Sequence, residues 1–330
     1  MNNAAKNPLS EENKFEKLKE SPDDILIIGP SGSGKGYLAK LLHTESKERA
    51  GKLFIHVNSA SVSSNLFESE MFGHIRGSFT GAIRNKEGYC SKVKDGDLFL
   101  DEIGDLPLDL QAKLLVLIND RIYMPVGSNE AKKFEGRIIA ATNKNLRKEV
   151  ASGKFREDLY YRLSNFVLSV KGLSEQKSKI PKLIELFLIE ENAKMAFDDS
   201  ALEYFSSQQW NGNIRQMRNV VKRIVRFSNE KKTIKKEDVI PYMEEELIFE
   251  CEGEILENKD SYLLMKVLYS RVSGNLHAMI KMFVESALAL NGGNITVTAK
   301  SISVGRKTLE RMLKRYKILR KNSILMLSGG

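Results

Sequence analysis

The segment that most constrains the fold is the glycine-rich stretch GPSGSGKG at residues 29–36. It follows ILIIG, which has the composition of a short buried strand, and it precedes a helical pattern, GKGYLAKLLHTES. Glycines at this spacing let backbone N–H groups turn toward phosphate oxygens, and the helix N-terminus adds its positive dipole. The stretch therefore predicts a phosphate-binding loop between a strand and a helix.

In this loop Lys35 is placed to reach the terminal phosphates of a nucleotide such as ATP. A Ser or Thr usually follows that lysine and its hydroxyl contacts Mg²⁺, but this chain has Gly36, so the metal needs other ligands or water. A glycine-rich turn without a ligand is the competing interpretation, and the flanking strand and helix weigh against it. The residues predicted to contact the nucleotide in this loop are Gly29, Pro30, Ser31, Gly32, Ser33, Gly34, Lys35, Gly36 and Tyr37.

Two acidic residues end the apolar strand DLFLDE at residues 97–102. Ligands of α/β proteins bind at the carboxyl edge of the sheet, so we expect Asp101 to hold Mg²⁺ through water and Glu102 to polarise the attacking water. Asn58, which ends FIHVN, could bind and gate Glu102, and Asn143, at the end of RIIAATN, could orient the water or the γ-phosphate. Solvated polar residues at strand ends are the alternative.

Positive charge for phosphoryl transfer is available from three arginines. Arg156 and Arg162 lie six residues apart in FREDLYYRL, beyond the predicted sheet, so we expect them to reach the nucleotide of a neighbouring subunit in a ring. Arg215, in WNGNIRQMRN, is placed to contact the nucleotide from a second, helical subdomain. Ordinary surface arginines on helices remain the alternative for all three.

The order of the patterns indicates an α/β architecture. Strand-like and helix-like segments alternate from Asp24 onward, which argues for a parallel sheet covered by helices. Strand patterns then stop between Gly172 and Tyr242, where the segments predict helices only. The chain should therefore carry a parallel-sheet domain followed by an all-helical subdomain.

The net charge of +9 is unevenly distributed. Residues 241–260 hold eight acids and one Lys, whereas the chain from Ser286 onward holds nine Lys or Arg and one Glu. From Arg306 onward, apolar residues fall on one helical face and basic residues on the other, after a short helix and a turn. This pattern predicts a helix-turn-helix that binds DNA, although a solvated charged face is the default alternative. The predicted DNA contacts are Arg306, Lys307, Glu310, Arg311 and Lys314.

Composition also bears on the compartment. Cys90 and Cys251 are far apart and fit no metal spacing, which indicates a reducing environment. The polar N-terminus is not a signal peptide, and no apolar run approaches the ~18–20 residues of a membrane span. We therefore expect a soluble, cytoplasmic protein with no membrane partner.

Seven stretches together resemble one protein family. GPSGSGKG, FIHVNSAS, ESEMFGHIRGSFTGA, GDLFLDEIGDLP, RIIAATN, FREDLYYRL and WNGNIRQMRNVV follow the order of the AAA+ domain of bacterial enhancer-binding proteins, which activate sigma-54 RNA polymerase. The C-terminal segment resembles their Fis-type helix-turn-helix. The resemblance covers about residues 22–242 and 280–318, and it implies an AAA+ P-loop NTPase core with a helical lid.

The resemblance assigns a role to the loop GSFTGA at residues 77–82, which no strand or helix pattern requires. It looks like the family loop that engages sigma-54 when ATP is bound, so its predicted contact residues are Gly77, Ser78, Phe79, Thr80, Gly81 and Ala82. Asn58 matches the family's switch asparagine, Arg156 and Arg162 its trans-acting arginines, and Arg215 its lid sensor. The implied protein is a hexameric ATPase that binds upstream promoter DNA and remodels the closed complex of the sigma-54 holoenzyme.

The resemblance also sets the expected domain boundaries. They are residues 1–21 for a polar tail, 22–170 for the α/β ATPase subdomain, 171–243 for the lid, 244–278 for an acidic helical linker, 279–320 for the Fis-type DNA-binding domain and 321–330 for a tail. Because only about 20 residues precede the core, we expect no N-terminal receiver domain, and regulation by a separate protein becomes an option.

Several positions depart from the family pattern. Glu is usual at Gly36, Ala at Ser78 and Pro at Asn211, and the segment SVKGLSEQKSKI lacks the usual Pro- and Arg-containing sequence. These departures leave two alternatives open. One is a DNA-binding repressor or scaffold with an impaired ATPase, and the other is an AAA+ ATPase of DNA replication or recombination, which would not need GSFTGA.

Overall fold

A five-stranded, all-parallel sheet forms the centre of the computed structural model. Its strands lie in the order β2, β5, β8, β1, β9. They span Phe54–Asn58 (β2), Asp97–Asp101 (β5), Arg137–Thr142 (β8), Ile25–Ile28 (β1) and Val167–Ser169 (β9). The predicted parallel α/β sheet is confirmed, and the sequence patterns missed its short edge strand β9.

The structure describes residues 10–60, 64–228, 231–243, 276–302 and 304–315. The chain divides into two compact units, Met1–Lys236 and Glu237–Gly330. The helices of the first unit are α1 Glu11–Leu18, α2 Lys35–Thr44, α3 Ser64–Phe72, α4 Tyr89–Lys92, α5 Leu108–Asp120, α6 Leu146–Ala151, α7 Glu157–Leu163, α8 Ile180–Glu190, α9 Asp199–Ser207 and α10 Asn213–Phe227. Three two-residue strand pairs accompany them: β3 Gly73–His74 with β4 Lys86–Glu87, β6 Ile122–Tyr123 with β7 Lys132–Lys133, and β10 Ala196–Phe197 with β11 Thr233–Ile234.

Alternating side chains of the strands build a core on each face of the sheet. On one face, Leu98 and Leu100 of β5 pack with Leu114 of α5. On the other face, Phe99 packs with Ala39 and Leu42 of α2. This sandwich fixes α2 against the sheet and thereby fixes the loop that leads into the helix.

The segment predicted as a polar N-terminal tail contains helix α1, which is bound to the sheet. The guanidinium of Arg137 is fully buried, is held by both oxygens of Asp97, and donates through Nη1 to the carbonyl oxygens of Leu18 and Ser21, each over 3.0 Å. These contacts explain why a polar segment is ordered: it supplies backbone acceptors to a buried cation.

The predicted all-helical lid consists of α8 to α10 and additionally contains the parallel pair β10–β11. Its core includes Phe205 and Trp210, whose rings stack with centroids 5.3 Å apart. Helix α10 buries Met217 and Val220 and carries basic residues on its opposite face. The two-residue pair was missed because it is too short to produce a sequence period.

Residues 236–243 form a further helix, α11. The second unit contains α12 Leu276–Leu290, α13 Ile295–Ser301 and α14 Arg306–Arg315. These three helices share a buried cluster of Val284, Leu288, Ile295, Ala299, Leu309 and Leu313. Residues 244–275, which hold most of the predicted acidic linker and Cys251, and residues 316–330 lie outside the described residues. Within the described ranges, no helix has both the length and the apolar character needed to span a lipid bilayer.

Candidate nucleotide and partner sites

The phosphate loop depends on its glycines for steric reasons. A Cβ at Gly29 would lie 2.5 Å from the carbonyl oxygen of Val170, and one at Gly32 would overlap the carbonyl oxygen of Gly212 in the lid. Gly32 and Gly34 have φ angles of +72° and +98°, in the left-handed region that favours glycine. The predicted loop between β1 and α2 is therefore present, and its glycines allow the backbone to turn sharply and to pack closely against Val170 and the lid.

Two side chains of the loop show that it fits a phosphate group. The Nζ atom of Lys35 donates to the carbonyl oxygens of Gly29 and Pro30 over 3.1 and 3.3 Å. The Oγ atom of Ser33 is buried and has no hydrogen-bond partner among the described residues. A phosphate oxygen would accept a hydrogen bond from this hydroxyl and give the Lys35 ammonium a further charged partner.

Glu102 follows β5 and lies beside Lys35. Its Oε1 atom is 3.7 Å from Lys35 Nζ, and its Oε2 atom accepts a hydrogen bond from the backbone N–H of Asn143 over 3.2 Å. Glu102 also has a left-handed backbone, with φ of +54°. This conformation costs a non-glycine residue about 1–3 kcal/mol and is characteristic of residues held in place for function. The structure thus brings Lys35, Glu102 and Asn143 to one edge of the sheet.

Asp101 ends β5 directly opposite Asn58 of β2. Its Oδ1 atom accepts from the backbone N–H of Glu102 over 3.0 Å, and its Oδ2 atom lies 3.6 Å from Nε2 of His56. Burial acts to raise the pKa of Asp101, but His56 and the Glu102 N–H outweigh it, so the pKa is lowered below its ordinary value. Asp101 is therefore an ionised oxygen ligand suited to Mg²⁺.

Two residues of β2, Asn58 and His56, lie at this edge of the sheet. Asn58 was expected to bind Glu102, and its side-chain oxygen accepts from the N–H of Ala60 over 2.9 Å; its gating of Glu102 stays a prediction. His56 was not predicted at all. Strand alternation places residues 56 and 58 on one face, but only the pairing of β2 with β5 brings His56 to Asp101.

The lid contacts the phosphate loop through a residue that the sequence patterns did not reveal. The Nδ2 atom of Asn213 donates to the carbonyl oxygen of Ser31 over 2.9 Å, and its Oδ1 atom accepts from the N–H of Leu173 over 2.8 Å. The predicted sensor Arg215 is exposed, and its backbone N–H donates to the carbonyl oxygen of Gly32 over 3.2 Å. The first turn of α10 thus donates hydrogen bonds to two consecutive residues of the phosphate loop, Ser31 and Gly32.

The two predicted finger arginines lie on the exposed side of α7. Arg156 precedes the helix and binds both carboxylate oxygens of Asp158, with Nε–Oδ1 and Nη2–Oδ2 distances of 3.0 and 2.7 Å. Hydrogen bonding to Arg156 lowers the pKa of Asp158. Arg162 lies in the last turn of the same helix. Their role toward the nucleotide of a neighbouring subunit stays a prediction.

The GSFTGA loop is folded as a closed turn. The N–H of Gly77 donates to the carbonyl oxygen of Ala82 over 2.8 Å, and Gly77 and Gly81 have φ angles of +84° and +99°. The ring of Phe79 meets His74 edge-on at a centroid distance of 5.0 Å and remains 46% exposed. Phe79 and Thr80 are exposed as expected for contact residues, whereas Ala82 is buried.

Ser78 anchors this turn against a neighbouring loop. Its Oγ atom is buried without a hydrogen-bond partner in the part of the chain that the structure describes. A Cβ at Gly127 would lie 2.5 Å from Cβ of Ser78, so the two backbones are packed closely. An alanine at this position would keep the methylene carbon in place without burying a hydroxyl that lacks a described hydrogen-bond partner.

The basic face predicted for α14 is exposed. Leu309 and Leu313 are buried, while Arg306, Lys307, Arg311 and Lys314 point away from the core of their unit. Nε of Arg306 donates to Oε1 of Glu310 over 3.1 Å, so these two predicted base contacts are paired with each other.

Two known protein-family models match the chain. Residues 3–169 match the model of the sigma-54 interaction domain, and residues 174–249 match that of the AAA+ ATPase lid domain.

Relatives of known name are transcriptional regulators. The chain is 47% identical over 205 residues to AlgB of Pseudomonas aeruginosa, an alginate biosynthesis transcriptional regulatory protein, with 61% of this chain and 45% of AlgB covered. It is 35% identical over 307 residues to the transcriptional regulatory protein GlrR of Escherichia coli, covering 91% of this chain and 64% of GlrR. The chain thus spans about half the length of AlgB.

A solved structure agrees with the fold. NtrX from Brucella abortus, crystallised in complex with ATP, superposes with a TM-score of 0.63 at 27% identity, covering 93% of this chain and 67% of that one. The core is therefore of the AAA+ ATPase type, with a parallel α/β sheet and a helical lid.

Proposed function

The chain belongs to the family of sigma-54-dependent transcriptional regulators, and from this membership we propose that it hydrolyses ATP to remodel the closed promoter complex of sigma-54 RNA polymerase. It does so as a ring of subunits, proposed to be a hexamer, bound to DNA upstream of the promoter. The observation that carries the proposal is the position of Glu102 beside the phosphate loop, where its carboxylate contacts both Lys35 and the backbone N–H of Asn143.

The chemistry follows from these positions. Lys35 and the loop N–H groups bind the phosphates, and Glu102 orients and polarises the attacking water. Asn143 holds Glu102 through its backbone N–H and is proposed to orient the γ-phosphate. Mg²⁺, when bound, supplies positive charge beside the phosphates, and Asp101 is the proposed residue that holds it.

Completion of the site requires a second subunit. Arg156 and Arg162 are exposed and have no described contact with the phosphate loop of their own chain. We assign them to the nucleotide of a neighbouring subunit, where an arginine is worth about 10³–10⁵ in rate. Hydrolysis is then coupled to assembly of the ring.

Motion is carried by the loop at residues 77–82. Its exposed Phe79 and Thr80 are the proposed contacts with sigma-54, and Gly77 and Gly81 are its hinges because both occupy the left-handed region. The loop does work only if its contact with sigma-54 differs between the ATP and ADP states.

DNA binding is assigned to α13 and α14 of the second unit. The exposed cations of α14 suit phosphate and base contacts in the major groove. We expect Arg306→Ala and Arg311→Ala to weaken binding of upstream DNA. If Arg311 contacts a phosphate, its loss lowers the slope of log K against log salt concentration by about 0.9. Lys281→Ala, on α12, is the matched control and should leave this slope unchanged.

The experiment that tests the ATPase is hydrolysis by the purified chain and by Glu102→Gln. We expect Glu102→Gln to bind ATP with near wild-type affinity and to lose hydrolysis, because the amide keeps the size of the side chain but cannot act as a base. Wild-type protein that binds ATP without hydrolysing it would contradict the proposal and favour a repressor or scaffold.

The sigma-54 assignment has its own test. Purified sigma-54 is mixed with the chain in ADP–aluminium fluoride, and complex formation is followed by gel filtration. Thr80→Ala should abolish the complex while ATP hydrolysis persists. Thr296→Ala, an exposed threonine on α13, serves as the control. Full binding by Thr80→Ala would overturn the assignment and favour an ATPase of another process.

A further inference from the structure

Resting on the proposed action at promoter DNA and going beyond it, we propose that the lid carries a binding surface for single-stranded DNA. This surface is separate in sequence from the DNA contacts assigned to α14. It lies on α10 and is termed the lid basic face, which consists of Arg218, Asn219, Lys222, Arg223, Arg226 and Phe227.

Helix α10 has one buried side and one basic side. The buried side is formed by Met217, Val220, Val221 and Ile224. On the other side, Arg218, Lys222 and Arg226 recur at intervals of four residues, and all three are exposed. Four residues rise about 6 Å along an α-helix, so these cations form a row about 12 Å long. A row of this kind matches a linear polyanion better than a single small anion.

Carboxylates of the lid neutralise only part of this charge. Nη2 of Arg218 pairs with Oε2 of Glu190 over 2.7 Å, and Nζ of Lys222 lies 3.8 Å from Oε1 of Glu191. The sequence between residues 213 and 236 holds nine Lys or Arg and one Glu. The surface therefore keeps an excess of positive charge after these two pairs have formed.

The aromatic ring at the end of the row indicates which polyanion fits. Phe227 is 73% exposed, and it lines a groove of about 310 Å³ together with Asn219, Lys222, Arg223 and Arg226. A nucleic-acid base can stack on such a ring while its phosphate contacts a neighbouring cation. In a duplex the faces of the bases are covered by the adjacent base pairs. An unpaired strand can therefore use Phe227, whereas a duplex cannot.

The position of the groove near the C-terminal end of α10 does not prevent anion binding. The C-terminus of a helix carries about half a negative charge. Lys222, Arg223 and Arg226 bring three positive charges to the same groove, so the positive charge outweighs the helix dipole. Because Lys222 and Arg226 are exposed, added salt should weaken the attraction.

An acidic protein segment is the other polyanion that these cations could bind. Aspartate and glutamate side chains have no aromatic face to place on the ring of Phe227. Stacking on an aromatic side chain instead contributes substantially to the binding of each unpaired base. The exposed Phe227 therefore favours single-stranded DNA over an acidic protein.

Fluorescence anisotropy of a labelled oligothymidylate of about 12 nucleotides, titrated with the full chain, tests the role of the ring. We expect Phe227→Ala to weaken binding about 5- to 150-fold, the effect of losing one stacked base, and Phe227→Trp to retain it. Phe283→Ala, which removes an exposed phenylalanine of α12, is the matched control. Unchanged binding by Phe227→Ala, or an equal loss of affinity for a duplex of the same length, would overturn the proposal.

Salt dependence tests the cations. Lys222→Gln and Arg226→Gln should each lower the slope of log K against log salt concentration by about 0.7, the value for one phosphate contact with a single strand. Lys182→Gln, an exposed lysine of α8, is the control and should leave the slope unchanged. Tighter binding of polyglutamate than of oligothymidylate by the wild type would overturn the proposal in favour of an acidic protein.

The result can be separated from that of the proposed ATPase. Phe227 ends α10, about 20 Å along the helix from Asn213, which contacts the phosphate loop. Phe227→Ala should therefore hydrolyse ATP at the wild-type rate. Oligothymidylate binding without ATP hydrolysis in the wild type would overturn the ATPase alone. Hydrolysis without oligothymidylate binding would overturn the lid basic face alone.

Discussion

The side-chain amide of Asn213 donates a hydrogen bond to the carbonyl oxygen of Ser31 over 2.9 Å, across 182 positions of sequence. The oxygen of the same side chain accepts from the N–H of Leu173. One buried carboxamide therefore joins the first turn of α10 to the phosphate loop and to the segment that enters the lid. A change in the loop on nucleotide binding therefore reaches the lid through this residue and through the bond from the Arg215 N–H to Gly32, or it breaks these bonds.

We expect Asn213→Ala to lower the free energy of unfolding by about 1–3 kcal/mol, because it leaves a buried N–H and a carbonyl without partners. ATP affinity should fall as well. Asn192→Ala is a matched control: Asn192 has φ of 51° and Asn213 has φ of 54°, so both variants place alanine in the left-handed region. Chemical denaturation and fluorescent-nucleotide titration give the two readouts. Equal losses in both variants would assign the effect to backbone strain alone.

Ser78→Ala should stabilise the closed turn at residues 77–82 by about 1 kcal/mol, since it removes a buried hydroxyl without a described partner. Amide hydrogen exchange of residues 77–82 should slow. Ser128→Ala is the contrasting control, because its Oγ atom accepts a hydrogen bond from the N–H of Glu130 and its loss should not slow exchange. Faster exchange in Ser78→Ala would show that the hydroxyl holds the loop closed.

Arg156→Ala and Lys35→Ala should each abolish ATP hydrolysis, for different reasons. If Arg156 acts on a neighbouring subunit, an interface is intact when an Arg156→Ala subunit supplies the lysine and a Lys35→Ala subunit supplies the arginine. Random assembly of an equal mixture therefore restores about a quarter of the interfaces. Steady-state ATPase assays of the mixture measure the recovery. Mixing Lys35→Ala with Glu102→Gln provides the control, since both lesions lie in the same site. No recovery in the first mixture would place Arg156 in its own subunit's site.

Cys90 offers a pH-dependent readout of the core. Burial raises the pKa of its thiol well above the ordinary range. The protonated thiol therefore stabilises the fold below the unfolded pKa of about 8.5, and this contribution is lost as pH rises above that value. The unfolding free energy of the wild type relative to Cys90→Ala should decrease from pH 8 to pH 10. In a Cys251→Ser background, thiol labelling at pH 8 should occur only at the rate of unfolding; rapid labelling of folded protein would contradict the burial.

The sequence was sufficient for features that depend on local patterns. GPSGSGKG predicted its loop because glycine spacing and flanking apolar runs are local, and DLFLDE placed Asp101 and Glu102 at a strand end for the same reason. The sheet class followed from the alternation of patterns.

Features that depend on tertiary contact were not predictable. In the sequence Asn213 is an ordinary residue at the start of a helix, and its hydrogen bond to Ser31 is evident only from the folded structure. His56 looks like a strand residue until β2 pairs with β5. The burial of the Ser78 hydroxyl depends on the close approach of Gly127, which no pattern around GSFTGA indicates.

The contacts of the buried Arg137 guanidinium show that the folded ATPase domain begins upstream of residue 22. Its Nη1 atom donates to the carbonyl oxygens of Leu18, Lys19 and Ser21, upstream of the boundary at residue 22 that the family resemblance suggested. A truncated chain beginning at residue 22 would lose all three acceptors at once and leave buried N–H groups unsatisfied. Helix α1 and its following turn are therefore an integral part of the domain's folding unit, and truncation studies should start upstream of Ser10, the residue that caps α1.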